Sequence, residues 1–281
     1  MPRINYNAHA MTTVNRMSQL NRNITTSSTK ISSGMRINRP ADDVYGNSTS
    51  EQLRMQLRAM NMASSNTQDG IALLNVAEGA LSEVTLMLQR IRELSVQSAT
   101  DTLSDEDRTN IELEVDKLKQ GIDQIVENTQ YNGQNLLNGQ APWGTSQGGV
   151  FHMGPNNESN TDYIHYTIRS ASSAALGIDG NNLSVATPAD ASAAITSMDE
   201  ALNLVSDIRT ELGGVSNRLE HSLKNQSVQS ENVQAFESVI RDTDIAEEMT
   251  KYSRDQVLKE YSTAMLSQAN MLPERILKLL E

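Results

Sequence analysis

Residues 74–91 read LNVAEGALSEVTLMLQRI, and within them Leu74, Ala77, Leu81, Val84, Leu88 and Ile91 step by 3, 4, 3, 4 and 3. Alternating steps of three and four hold one stripe of side chains on a single face of a helix and repeat with the coiled-coil period. The stripe is narrow, and Glu78, Glu83, Gln89 and Arg90 stand between its members. Such a helix buries a seam against partners rather than its whole circumference. The helical signal extends from about Ser50 to Thr100; unbroken, it makes a rod of roughly 75 Å at 1.5 Å per residue.

Downstream, Ser104 to Asp107 reads as an S-x-x-D capping box that opens a second helix with Ile111, Val115, Leu118, Ile122 and Ile125 on one face. The connection, Asp101 to Leu103, is short, so the two helices are expected to run antiparallel. Asn132-Gly133 and Asn138-Gly139 are turn signals that close this block. Residues 131 to 190 hold more than half of the glycine, the one tryptophan (Trp143), and strand-like pieces at Val150 to Met153 and Tyr163 to Ile168, separated by Gly154-Pro155-Asn156-Asn157. From Ala189 the helical pattern returns through Ile195, Met198, Leu202, Val205, Ile208, Leu212, Val215 and Leu219. Beyond Leu223 the seam turns polar at Gln226 and Ser230, which reads either as a solvated helix end or as a seam able to slide between packing registers.

The two ends are weaker helices. Val14, Met17, Leu20 and Ile24 are helically spaced, but the run Thr25 to Thr29 has modest helix propensity, so this segment needs a partner to bury its stripe. Pro40 breaks the pattern, and Asp42, Asp43 and Ser48 offer caps for the next helix. The last segment carries Ile245, Met249, Tyr252, Leu258, Tyr261, Met265 and Leu272, with Pro273 expected to reset it before Ile276, Leu279 and Leu280. The expected fold class is mainly α: a long antiparallel helical bundle or coiled coil formed by paired N- and C-terminal halves, with a small β-hairpin region in the middle. The segments are 1–45 and 241–281 (terminal coiled-coil), 46–130 and 191–240 (outer helices) and 131–190 (hairpin).

Composition agrees with a thin seam. Two Phe, one Trp and 37% hydrophobic residues in 281 are too few for a broad round core. The net charge of −12 argues against nucleic acid as a partner of the whole chain. Charge is unevenly placed: residues 1–41 carry Arg3, Arg16, Arg22, Lys30, Arg36 and Arg39 with no acid, so this segment is +6 and the remainder −18. With no Cys, disulfides and thiolate metal sites are excluded. The first 20 residues lack an apolar h-region and no run of about 18 apolar residues occurs, so neither a secretory signal peptide nor a membrane span is readable.

Nothing points to catalysis, and no cofactor or metal is expected. The histidines His9, His152, His165 and His221 form no H-E-x-x-H, and no G-x-S-x-G or phosphate-loop pattern is present. Asp105-Glu106-Asp107 follows the cap Ser104 and suits a helix N-terminus better than a carboxylate site. Several of the 13 Met lie on helical seams, where flexible side chains fill core gaps.

Four motifs carry a family resemblance. Ser33-Gly34-Met35-Arg36-Ile37-Asn38 with Asp42-Asp43 and Gly46, then Gln89 to Gln97, Gln130-Tyr131-Asn132-Gly133, and Ser267-Gln268-Ala269-Asn270 stand in the order and spacing of bacterial flagellin. The resemblance covers almost the whole chain. It implies a non-enzymatic subunit that polymerises with itself into the flagellar filament, the terminal segments forming an inner coiled-coil tube. Assembly would then run through Val14, Met17, Leu20, Ile24, Leu258, Met265 and Leu272. It also implies an export chaperone, cap and hook-junction proteins as partners, and export without a cleavable signal to an extracellular flagellum. Phe151 to Asn156 and the short middle resemble spirochaete core flagellins, for which the filament is periplasmic. Gln89, Arg90, Glu93 and Leu94, with Glu114 on the facing helix, resemble the surface bound by the vertebrate innate-immune flagellin receptor. The rival readings are a hook-filament junction protein of the same family and a secreted effector or adhesin on a coiled-coil stalk.

Overall fold

The computed structural model describes residues 7–140, 148–158, 161–179 and 183–278. Trp143, Leu279 and Leu280 lie outside the described residues, as do the side chains of Leu272 and Ile276. The elements are α1 (Ala8–Ser33), α2 (Val44–Ser98), α3 (Asp105–Asn128), β1 (Gln130–Tyr131), β2 (Gln134–Asn135), β3 (Gly149–His152), β4 (Tyr163–Tyr166), α4 (Pro188–Arg241) and α5 (Ile245–Lys278). The chain divides into a core unit, residues 56–230, and a terminal unit formed by residues 1–55 and 231–281.

In the core unit the heptad stripe of α2 is the spine. Leu74, Ala77, Leu81, Val84, Leu88 and Ile91 are all no more than 2% exposed. They share one core with Ile111, Val115, Ile122 and Val126 of α3 and Met198, Val205, Ile208, Leu212 and Leu219 of α4. Polar pairs set the direction: Arg90 meets Glu114 and Arg108 donates to the Thr100 carbonyl, while Arg92 meets Asp199 and Arg209 meets Glu78. Numbers that rise on α2 fall on α3 and α4, so both partners run antiparallel to it, as the sequence predicts. One eighteen-residue stretch of α2 is apolar enough on average to cross a bilayer. Of that stretch, 33% is buried inside the protein.

The short connection holds because the capping box forms. The Ser104 hydroxyl accepts the Asp107 N–H at 3.2 Å and Asp107 accepts the Ser104 N–H at 3.3 Å. The Ser104 hydroxyl also donates to the Asp107 carboxylate at 2.7 Å, and this bond together with the amide's holds that carboxyl below the usual carboxylate range. Past α3, Asn132 (φ 51°) and Gly133 (φ 75°) make the two-residue turn that joins β1 to β2. A second hairpin pairs Gly149 with Tyr166, Val150 with His165, Phe151 with Ile164 and His152 with Tyr163. The Phe151 and Tyr166 rings stack at 4.0 Å.

The irregular chain between β4 and α4 is tied to one face of α3. Asp123 accepts both the N–H and hydroxyl of Ser173, Lys119 donates to the Leu183 carbonyl at 2.9 Å, and Glu112 accepts the Val185 N–H. Residues 112, 119 and 123 recur at helical spacing, so one polar edge of α3 fixes a segment that has no ladder of its own.

In the terminal unit α1 and α5 pair antiparallel: Asn7 donates to the Ala269 carbonyl at 2.8 Å, and Ser27 to Glu248 at 2.7 Å. Contrary to the expected reset, α5 continues through Pro273 to Lys278. Proline lacks the N–H that would bond the carbonyl four residues back, which is that of Ala269. The Asn7 amide takes this freed acceptor, while its oxygen caps α1 by accepting the Ala10 N–H at 3.1 Å.

Candidate functional site

The signature at residues 33–46 builds the connection between α1 and α2 and fastens it to the connection between α4 and α5. Gly34 ends α1 in the left-handed region (φ 71°), its N–H donating to the Lys30 carbonyl. Met35 then bridges Asp242, with the Arg36 N–H donating to the Arg241 carbonyl at 2.7 Å and the Thr243 N–H to the Gly34 carbonyl at 3.0 Å. The Arg36 guanidinium caps the end of α4 by donating twice to the Ile240 carbonyl, at 2.7 and 3.2 Å. Those last carbonyls of a helix have no partner inside it, and a cation there also suits the dipole. Ile37 is buried, and a Cβ on Gly46 would sit 2.8 Å from it, so only glycine fits that contact without displacement. Of the three proposed caps, Asp43 is the one used: it accepts the Gly46 N–H, which starts α2 at Val44 rather than near Ser50. Arg241 secures the same corner by pairing with Glu51 at 2.9 Å, holding the Glu51 carboxyl below its ordinary range.

The α1–α5 pair hides small and polar side chains and shows apolar ones. Among the described side chains of α5 the buried positions are Glu248, Asp255, Ser262 and Ala269, one every seven residues. Beside them Ile245, Met249, Val257, Leu258, Tyr261 and Met265 are exposed, as are Met11 and Val14 on α1. Met17, Leu20 and Ile24 are half-buried at the seam. Of the assembly residues expected from sequence, Val14, Leu258 and Met265 thus lie open on the terminal unit, and the Leu272 side chain falls outside the described residues.

In the core unit, Arg90 donates to Glu114 at 2.9 and 3.2 Å and to Glu93 at 3.2 Å. Glu114 first, then Glu93, keep the guanidinium more firmly protonated than a lone arginine. Gln89 is exposed beside them. Leu94 does not join this surface: it is 2% exposed and belongs to the core. The motif groups neighbours along the chain, but Leu94 stands three residues past Ile91 and so extends the buried stripe. Sequence spacing carried that signal. Gln226 is likewise buried rather than solvated, its amide donating to the Met153 carbonyl at 2.7 Å. It lies seven residues past Leu219, the heptad step that puts it on the seam. The Arg36 cap on Ile240, 204 residues away, has no local sequence signal.

Residues 4–141 match the model of the bacterial flagellin N-terminal helical region, and residues 195–280 that of the bacterial flagellin C-terminal helical region. The flagellar filament 30.7 kDa core protein of Treponema maltophilum is 41% identical, over 99% of each chain. The flagellin of Bacillus subtilis is 41% identical, again over 99% of each. Among solved structures, a Vibrio parahaemolyticus chain described as a flagellar hook-associated protein is 18% identical, covers 71% of this chain and 99% of its own, and has a TM-score of 0.55, a likeness of fold alone.

Proposed function

Because the chain belongs to the bacterial flagellin family, we infer that the apolar stripe left open on its terminal unit is the surface through which it assembles. The protein is a structural subunit of the flagellar filament, it serves motility, and it is not an enzyme. The observation that supports the assembly reading is the inversion on α5, where Glu248, Asp255 and Ser262 are buried while Val257, Leu258, Tyr261 and Met265 are exposed. Contiguous apolar surface of this kind favours burial against another copy. Head-to-tail contacts that do not close give a helical filament rather than a ring.

Finer assignments rest on the same premise. Val14, Met17, Leu20, Ile24, Leu258, Met265 and Leu272 carry subunit contacts. Before assembly, an export chaperone shields the α5 stripe, and cap and hook-junction proteins meet it at the two ends of the filament. Gln89, Arg90, Glu93 and Glu114 form the exposed patch an innate-immune receptor would read, with Leu94 supporting it from beneath. Full-length similarity to a spirochaete core protein favours a periplasmic filament as strongly as similarity to the Bacillus flagellin favours an external one. Heat dissociation followed by cooling tests self-assembly: the purified subunit regrows long filaments visible by electron microscopy, whereas a hook-junction protein or a stalked effector does not.

A further inference from the structure

One face of α1 breaks the acidic character of the chain. Ser18, Asn21, Arg22, Thr25, Thr26, Thr29 and Lys30, with Asn38, Arg39 and Asp42 from the following connection, line a pocket that lies wholly inside the terminal unit. Residues 18, 22, 25 and 29 follow the helical period one position round from the α5 seam at 17, 24 and 27, so the pocket faces away from that seam.

The pocket holds three cations and a single carboxylate. That carboxylate is already engaged, since Asp42 accepts the N–H groups of Asn38 at 3.1 Å and Arg39 at 2.9 Å. These two amides, with Lys30 and Arg39 adding to them, keep Asp42 below its ordinary range, so it stays an anion turned to its own backbone. Among the described residues Arg22, Lys30 and Arg39 form no ion pair, although most other described arginines do. The threonine hydroxyls add no free donors: Thr25, Thr26 and Thr29 donate to the carbonyls of Asn21, Arg22 and Thr25. The charged donors of the cleft are thus guanidinium and ammonium groups, which is the chemistry that takes carboxylates.

We propose that this cleft is a carboxylate-binding socket occupied by acidic side chains of a second copy of the chain. The inference rests on the self-assembly reading and deepens it. Charge complementarity selects the occupant: residues 1–41 carry +6 and the rest of each copy −18, so every neighbour in a polymer presents an excess of acids to a site whose one carboxylate is already engaged. Asp105 and Glu106 are examples, exposed and without an ion-pair partner among the described residues. The socket sets which subunits engage and in what register, while the apolar stripe of α5 supplies most of the attraction.

A zero-length cross-link tests this directly. Filaments grown from equal parts of ordinary and 15N-labelled full-length protein are treated with a water-soluble carbodiimide, which joins an amine to a contacting carboxylate, and then digested for mass spectrometry. The expected product links the Lys30 peptide to an Asp or Glu peptide in mixed isotopic form, present in filaments and lost in dissociated monomer. Lys30→Arg removes that product, because the reagent joins an amine, and not a guanidinium, to a carboxylate. Arg22→Gln, Lys30→Gln and Arg39→Gln together raise the critical concentration for growth roughly tenfold, the equivalent of about 1.4 kcal/mol, with the monomer melting profile unaltered. Lys30 links that are only same-isotope, as to Asp42 within one chain, overturn the proposal, as does a triple variant that grows like wild type. If the unmodified protein forms no polymer at all, the self-assembly reading itself falls, and the second copy with it.

Discussion

Leu94→Ala separates the two roles that the segment after Gln89 invites. Leu94 is 2% exposed within the shared core of α2, α3 and α4, while Arg90, one turn earlier, is half exposed. Truncating a buried leucine removes its transfer free energy and leaves a cavity, together about 2–5 kcal/mol. For a unit the size of residues 56–230, each kcal/mol lowers the melting midpoint by about 2–4 °C, so the expected fall is roughly 4–20 °C. Arg90→Ala should leave the midpoint near that of wild type, because ion pairs open to solvent contribute little. The assay is thermal unfolding of monomeric protein by circular dichroism, paired with titration against the receptor ectodomain. Arg90→Ala should weaken binding without softening the fold, and Leu94→Ala should do the reverse first. A Leu94→Ala protein that melts like wild type yet loses receptor binding would place Leu94 on the surface and refute this reading.

Asn7→Asp keeps the oxygen that caps α1 but removes the donor to the Ala269 carbonyl, whereas Asn7→Ala removes both. Loss of the cap alone costs about 0.5–2 kcal/mol, so amide hydrogen exchange in α1 and α5 should rise in the order wild type, Asp, Ala; equal exchange in all three would sever the link to Pro273. Gln226→Leu strips the Met153 carbonyl of its donor and should destabilise the core unit by about 1–3 kcal/mol; a raised melting midpoint would show that this hydrogen bond does not hold the seam. Burial pushes the Tyr166 hydroxyl from 10.0 up to about 12. The unfolded chain therefore ionises first, so stability at neutral pH is untouched and drains away between about pH 10 and 12. Tyr166→Phe should flatten that part of the pH–melting curve relative to wild type, and an unchanged alkaline slope would remove Tyr166 as its cause.

The heptad of α2, the Ser104 capping box and the Asn132-Gly133 turn were legible in sequence because each is a local signal. A stripe of apolar residues at steps of three and four has few alternatives to a buried seam, and a cap acts within one turn. The α1–α5 pair was harder to read because apolar period finds the wrong side of α5. Its inner seam is Glu248, Asp255, Ser262 and Ala269, and the apolar stripe that sequence analysis picks out faces outward. Hydropathy reports what a residue prefers to contact in the working state, and on the assembly reading proposed above that contact belongs to another copy. Leu94 went astray for a different reason: a motif records adjacency along the chain, while burial follows rotation about the helix. The roles of Arg36 at Ile240 and Asn7 at Ala269 depend on residues more than 200 positions apart, beyond any local pattern.

Hydroxyl-radical footprinting of the full chain, as dissociated monomer and as regrown filament, tests the assembly account most directly. Val14, Leu258, Tyr261 and Met265 are 45%, 43%, 63% and 45% exposed in the single chain, so each should be labelled in the monomer and protected in the filament, while buried Leu81 and Leu88 stay unlabelled in both. Equal labelling of the four exposed residues in monomer and filament would contradict the claim that neighbouring subunits cover the apolar stripe.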